Sequence, residues 1–207
     1  MQQHHLARYW QPIATQYAIA DAQDIFEKLL DAYTESQRAY HTLQHLEECF
    51  ALFEQVKHAL HRQDLVQLMI WFHDVVYDPR AKDNELQSAE YAKRVLTQFF
   101  TVDDIEYIRQ GILATATHDA GQIIDYQYLM DIDLAILGTE PQRFTRYEQQ
   151  IRDEYRFVEE WVYVQKRAAV LSHFLAQIPL YKTAYFQQLF EDQAKHNLKR
   201  ALDHHVV

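Results

Sequence analysis

The chain has 207 residues and a formal net charge of −10 at pH 7, with 14% aromatic side chains, three glycines, four prolines and one cysteine. The acidic balance excludes a nucleic-acid scaffold and an anionic-membrane docking surface, both of which need concentrated Lys and Arg. The lone Cys49 excludes an internal disulfide and any cysteine-rich metal cluster, which suits a reducing compartment.

The opening segment, MQQHHLARYWQPIATQY, has no uninterrupted apolar h-region, and no run of 18 or more apolar residues follows it. A cytoplasmic chain with no membrane span is expected. Leu43, Leu46, Phe50, Phe53, Val56 and Leu60 recur at steps of three and four, the period of one helix face. Leu65, Leu68, Met69, Phe72 and Val76 continue the pattern in a second helix, and NELQSAEYAKRVLTQFF reads as a third, amphipathic one. Thr101 with Asp104 predicts a capped start for TVDDIEYIRQGILATATH. Gly121 and Gly138 are expected stops. DYQYLMDIDLAILG predicts a short, very apolar helix, and Thr139-Glu140-Pro141 then opens a polar, aromatic-rich helical tail.

No alternating strand pattern, fixed-period repeat or flexible linker interrupts this series, so an all-α bundle forming a single domain over residues 1–207 is expected. Its chemistry-bearing core spans about 38–138, followed by a helical extension over about 139–207. Glycines at 111, 121 and 138 alone cannot write a dinucleotide fingerprint or a phosphate-cradling loop, and no nucleophile elbow is present. Cys49, inside the first amphipathic helix, reads as a small core filler.

Polar groups in apolar runs carry the chemical signal. His73 and Asp74 sit in MIWFHDVVY, where a helix is apolar nearly all round and therefore buried. A buried carboxylate without a partner costs several kcal/mol, so Asp74 needs a cation or strong donors. Asp131 and Asp133 in LMDIDLAIL pose the same problem. Asp133 has only Leu129, Met130, Ile136 and Leu137 at three and four residues on either side, which makes it the better inward candidate than Asp131. In RAYHTLQH, His41 and His45 are spaced to share a helix face beside the leucine and phenylalanine stripe. Imidazole nitrogens and carboxylate oxygens from three buried helices suit one divalent first-row metal ion. The alternative is a set of separate features, with His73 hydrogen-bonded in the core and the carboxylates capped by Tyr or Arg.

The order of YHTLQH, FHDVVYD and DIDLAILG, over Tyr40 to Gly138, resembles the HD superfamily of metal-dependent phosphohydrolases, and more distantly the cyclic nucleotide phosphodiesterases. The closest pattern is that of a bacterial group of about this length known as predicted HD phosphohydrolases. The resemblance implies an HD-domain-like helical bundle with His45, His73, Asp74 and Asp133 as metal ligands and His41 as the acid that protonates the leaving oxygen. It implies a divalent cofactor (Mn, Fe, Zn, Ni or Mg) and hydrolysis of a phosphate monoester or diester, a nucleotide among the candidates, by metal-activated water. His118 falls where many relatives carry a further site-lining histidine, and is otherwise a plain helix-end residue. The first position of the histidine pair that two-metal relatives carry is occupied here by Asn84-Glu85, a departure that weakens the case for a second ion. Glu85 becomes a water-orienting or outer ligand, or else a surface glutamate. Arg38, Arg80 and Lys82 are the nearest cations for a substrate phosphate, or else surface charges. The alternatives are a non-catalytic metal- or nucleotide-binding protein and an HD-type di-iron oxygenase. A homodimer is compatible with the aromatic tail, and the terminal His4, His5, His204 and His205 carry no assigned role.

Overall fold

The computed structural model describes residues 5–205, with side chains described for 5–203. His4 and the side chains of His204 and His205 lie outside these. Among the described residues the chain is helical throughout, with ten α-helices, two short 3-10 turns and no strand. An all-α chain is what the scarce glycine and proline predict. It divides into two compact units, Met1–Leu129 and Met130–Val207. No helix among the described residues is long and apolar enough to cross a membrane.

The first unit holds α1 (Ala7–Gln16), α2 (Ala22–Ala32), α3 (Leu43–Val56), α4 (Gln63–Phe72), α5 (Asn84–Leu96), α6 (Val102–Thr115) and the start of α7 (Ile124–Leu134). Its centre is α4, which packs on α3, α5 and α6 and buries every residue from Leu65 to Phe72 except Gln67. Trp71 is the hub, with Trp10 of α1 and Phe26 of α2 edge-on at 6.0 and 5.8 Å and Phe50 of α3 at 5.0 Å. Offset and edge-on ring pairs add to plain area burial, so this cluster locks three helices around the C-terminal end of α4. Gly111 lets α6 approach: a methyl group there would press on Met69 and Tyr126.

The Thr101 cap forms as predicted, its hydroxyl accepting the Asp104 amide at 3.2 Å at the start of α6. The helix through the HD dipeptide does not extend as periodicity suggests. It ends at Phe72, His73 is its C-cap, and Asp74 stands beyond it. α6 stops at Thr115, six residues before Gly121, which adopts φ +53° in the following loop.

The second unit contains the end of α7, a 3-10 turn at Ala135–Gly138, α8 (Pro141–Glu154), α9 (Glu160–Ala176) and α10 (Ala184–His205). Pro141 opens α8 at its first position, where its missing N–H costs nothing. α10 packs on α9 and on the 3-10 turn. Asn197 ties that turn down by donating to the carbonyls of Leu137 and Thr139 at 2.9 and 2.8 Å. The Tyr181 hydroxyl donates to the Leu134 carbonyl at 3.1 Å.

Candidate metal centre

The aromatic hub holds α4 in place, and its last turn delivers His73, which is 2% exposed. The Nδ1 of His73 lies 2.9 Å from the carbonyl oxygen of Ile70, three residues back. A carbonyl only accepts, so Nδ1 carries a proton, and a ring neutral at Nε2 would present its lone pair to the opposite side. That Nε2 lies 3.1 Å from Nε2 of His45 and 3.1 Å from Oδ2 of Asp74. His45 Nε2 and Asp74 Oδ2 are 3.6 Å apart. His45 comes from the first turn of α3 and is 2% exposed, with the buried Cys49 thiol 3.7 Å from its ring nitrogens.

Three basic atoms thus converge with both histidines buried. For a metal with bonds of about 2.1 Å, adjacent ligand atoms stand about 3.0 Å apart in an octahedron and about 3.4 Å apart in a tetrahedron. The triangle of 3.1, 3.1 and 3.6 Å has those dimensions. With both Nε2 atoms unprotonated, lone pairs at this separation would repel one another, a conflict that a cation removes. A backbone carbonyl behind a ligating imidazole is also the usual way such a ring is oriented. The donor set therefore fits a divalent ion of the first transition row. His45, His73, Asp74 and Asp133 each offer a ligand atom within 4.8 Å of the others and could hold such an ion.

The two aspartates of the DID run part company. Asp131 is 1% exposed and accepts the amides of Lys182 and Thr183 and the Thr183 hydroxyl, each at 2.7 Å. It caps the start of α10. Burial pushes its carboxyl up to about 6 against the three donors that favour the anion. Asp133 is half-buried in the last turn of α7.

His41 does not share a helix with His45, because α3 begins at Leu43 and His41 lies in the turn before it. Its ring stacks on Tyr77 at 4.3 Å and stands 6.0 Å from the His45 ring, centre to centre. Glu85 is half-buried in the first turn of α5, and Arg80 and Lys82 are exposed in the loop before it. That loop is pinned by Asp78, whose carboxylate accepts the Arg80 amide, and by Asn84, which bonds both backbone groups of Asp78. His118 is half-buried in the turn after α6, in the left-handed region at φ 52°.

Arg38 departs from its expected place on a substrate phosphate. Its side chain is fully buried and all five N–H donors are in use within the protein. Its partners are mostly backbone carbonyls, which a residue pattern does not advertise. Two further neighbours of the site went unread in the sequence. The Ile70 carbonyl was implied by the three-residue helical spacing to His73, whereas the Tyr77 ring on His41 left no signal.

Comparison with protein-family models, curated proteins and solved structures finds no match.

Proposed function

We propose that this protein is a metal-dependent phosphohydrolase that cleaves a phosphate monoester or diester with water. The observation that carries the reading is the triangle of His45 Nε2, His73 Nε2 and Asp74 Oδ2, with the His73 proton committed to Ile70 on the far side. We assign Asp133 as the fourth ligand. When bound, a divalent ion supplies Lewis-acid charge at the phosphoryl oxygen and acidifies water at neutral pH.

The chain's own groups divide the remaining work. His41, stacked on Tyr77 and adjacent to His45, carries on a ring nitrogen the proton that the leaving oxygen takes. Arg80 and Lys82, exposed in the loop before α5, are the cations we assign to a substrate phosphate, in place of the buried Arg38. Glu85 and His118 are assigned to the approach on the strength of the resemblance. The HD-superfamily resemblance of YHTLQH, FHDVVYD and DIDLAILG favours the same reaction class.

The test is turnover by metal-replete protein on a panel of nucleotides and simple phosphate esters. Hydrolysis should vanish in His73→Ala together with bound metal. In His41→Ala it should fall about 10²–10⁴-fold with metal retained, the size of a positioned acid's contribution. Tight metal with no turnover on any ester contradicts the hydrolase reading and leaves a metal-binding protein, and a paired-iron spectrum points to the oxygenase.

A further inference from the structure

We propose that Arg38 is the positioning residue of this centre: it clamps the backbone of the His73-Asp74 turn to the backbone of His41, and so sets the register between the two halves of the ligand set. The inference rests on the metal reading above.

The geometry carries it. Nη1 donates to the carbonyl of Asp74 at 2.7 Å and to that of His41 at 3.2 Å, and Nη2 donates to the carbonyl of Val75 at 3.0 Å. Nε and Nη2 both reach the Glu35 carboxylate at 3.0 Å, which fixes the plane of the fork. The rings of Tyr33 and Tyr77 cover the guanidinium, 5.1 and 5.3 Å from their centres. Tyr77 is also the ring on which His41 stacks. One buried cation thus holds three carbonyls from two chain segments, and the ring beside it orients the proposed acid.

The need for it lies in where α4 ends. Beyond Phe72 the carbonyls of Asp74 and Val75 leave the helical pattern, and buried carbonyls need donors. Continued helix would satisfy them through amides four residues on, but the chain leaves the helix after His73. Charge-assisted bonds from Arg38 stabilise the broken form instead. Val76, in the bend that follows, is held by Ser88, whose hydroxyl accepts the Val76 amide at 3.1 Å and donates to its carbonyl at 3.2 Å. Lysine cannot replace the fork, because a point ammonium does not reach three carbonyls in one plane.

The test measures Mn²⁺ and Zn²⁺ affinity of chelator-treated full-length protein by equilibrium dialysis, alongside circular dichroism. R38K and R38A should bind about 10–100-fold more weakly than wild type, the range seen for groups that orient ligands. Guanidinium ion at low millimolar concentration should restore affinity to R38A while methylammonium does not, a response that general loss of stability would not give. Unchanged affinity in folded R38K, with wild type binding normally, overturns the inference and leaves the metal centre standing. Wild-type protein that binds neither ion removes the metal reading itself. Should both Arg38 variants fail to fold, E35A decides: severalfold weaker binding in a protein of native circular dichroism supports the clamp, and unchanged binding overturns it.

Discussion

Two kinds of carboxylate stand in apolar surroundings in this chain, and their partners differ. Asp125, in the first unit, is fully buried and accepts the amides of His61 and Arg62 at 2.8 and 2.9 Å and the Tyr107 hydroxyl at 3.0 Å, capping the start of α4. Asp131 does the same for α10 in the second unit. Asp74 instead faces two imidazole nitrogens, one on a ring whose other nitrogen donates to the Ile70 carbonyl. The caps close on orphan amides and are complete without any further group. The Asp74 cluster brings together three atoms that can each ligate a cation.

Breaking the cluster should show first in metal binding. Asp74→Asn keeps the shape and removes the anionic oxygen, and dialysis should record a loss of at least about 100-fold, beyond what outer partners contribute. Its far-ultraviolet circular dichroism should stay that of wild type. Breaking a cap should show the reverse. Asp125→Asn and Asp131→Asn each turn an acceptor into an amino group facing donors, which should cost about 1–3 kcal/mol in denaturant unfolding while metal affinity stays within about threefold. A loss of metal in Asp131→Asn as large as in Asp133→Asn would erase the distinction between cap and ligand.

Thr183→Val, which deletes one of the three donors to Asp131, should cost about 1 kcal/mol in the same assay. The smallest effect is a pH dependence. The Asp131 carboxyl is held near 6 in the folded protein against 3.8 ordinarily, so its contribution to stability is full below about 4 and is lost as pH rises through 6. Wild type should therefore lose stability relative to Asp131→Asn between pH 4 and 6, and a parallel pair of curves would contradict the raised value.

The helical character of the chain was legible because Leu43 to Val56 and Leu65 to Phe72 repeat with a helix period, although Leu60, read into the same face, lies beyond the helix end, and the Thr101 cap because its partner lies three residues on. The neighbours within one turn made Asp133 the inward residue of the pair, whereas Asp131 is the buried one and Asp133 is half-buried. What those neighbours could not say is that Asp131 is occupied by amides 51 and 52 residues away. Periodicity also carried the helix too far, through Asp74 to Val76, because the backbone beyond Phe72 bonds to Arg38 and Ser88, which lie 36 and 12 residues distant from their partners. For the same reason Arg38 read as a surface cation: its burial depends on carbonyls, which every residue has.

The most direct test of the central claim follows the imidazole ¹⁵N signals of His45 and His73 while Zn²⁺ is added to chelator-treated protein. The account predicts that the Nε2 signals of both residues move to coordinated positions at one equivalent of ion, with the proton of His73 remaining on Nδ1. Histidine signals that ignore the ion, or a His73 ring protonated on Nε2 throughout, would contradict it.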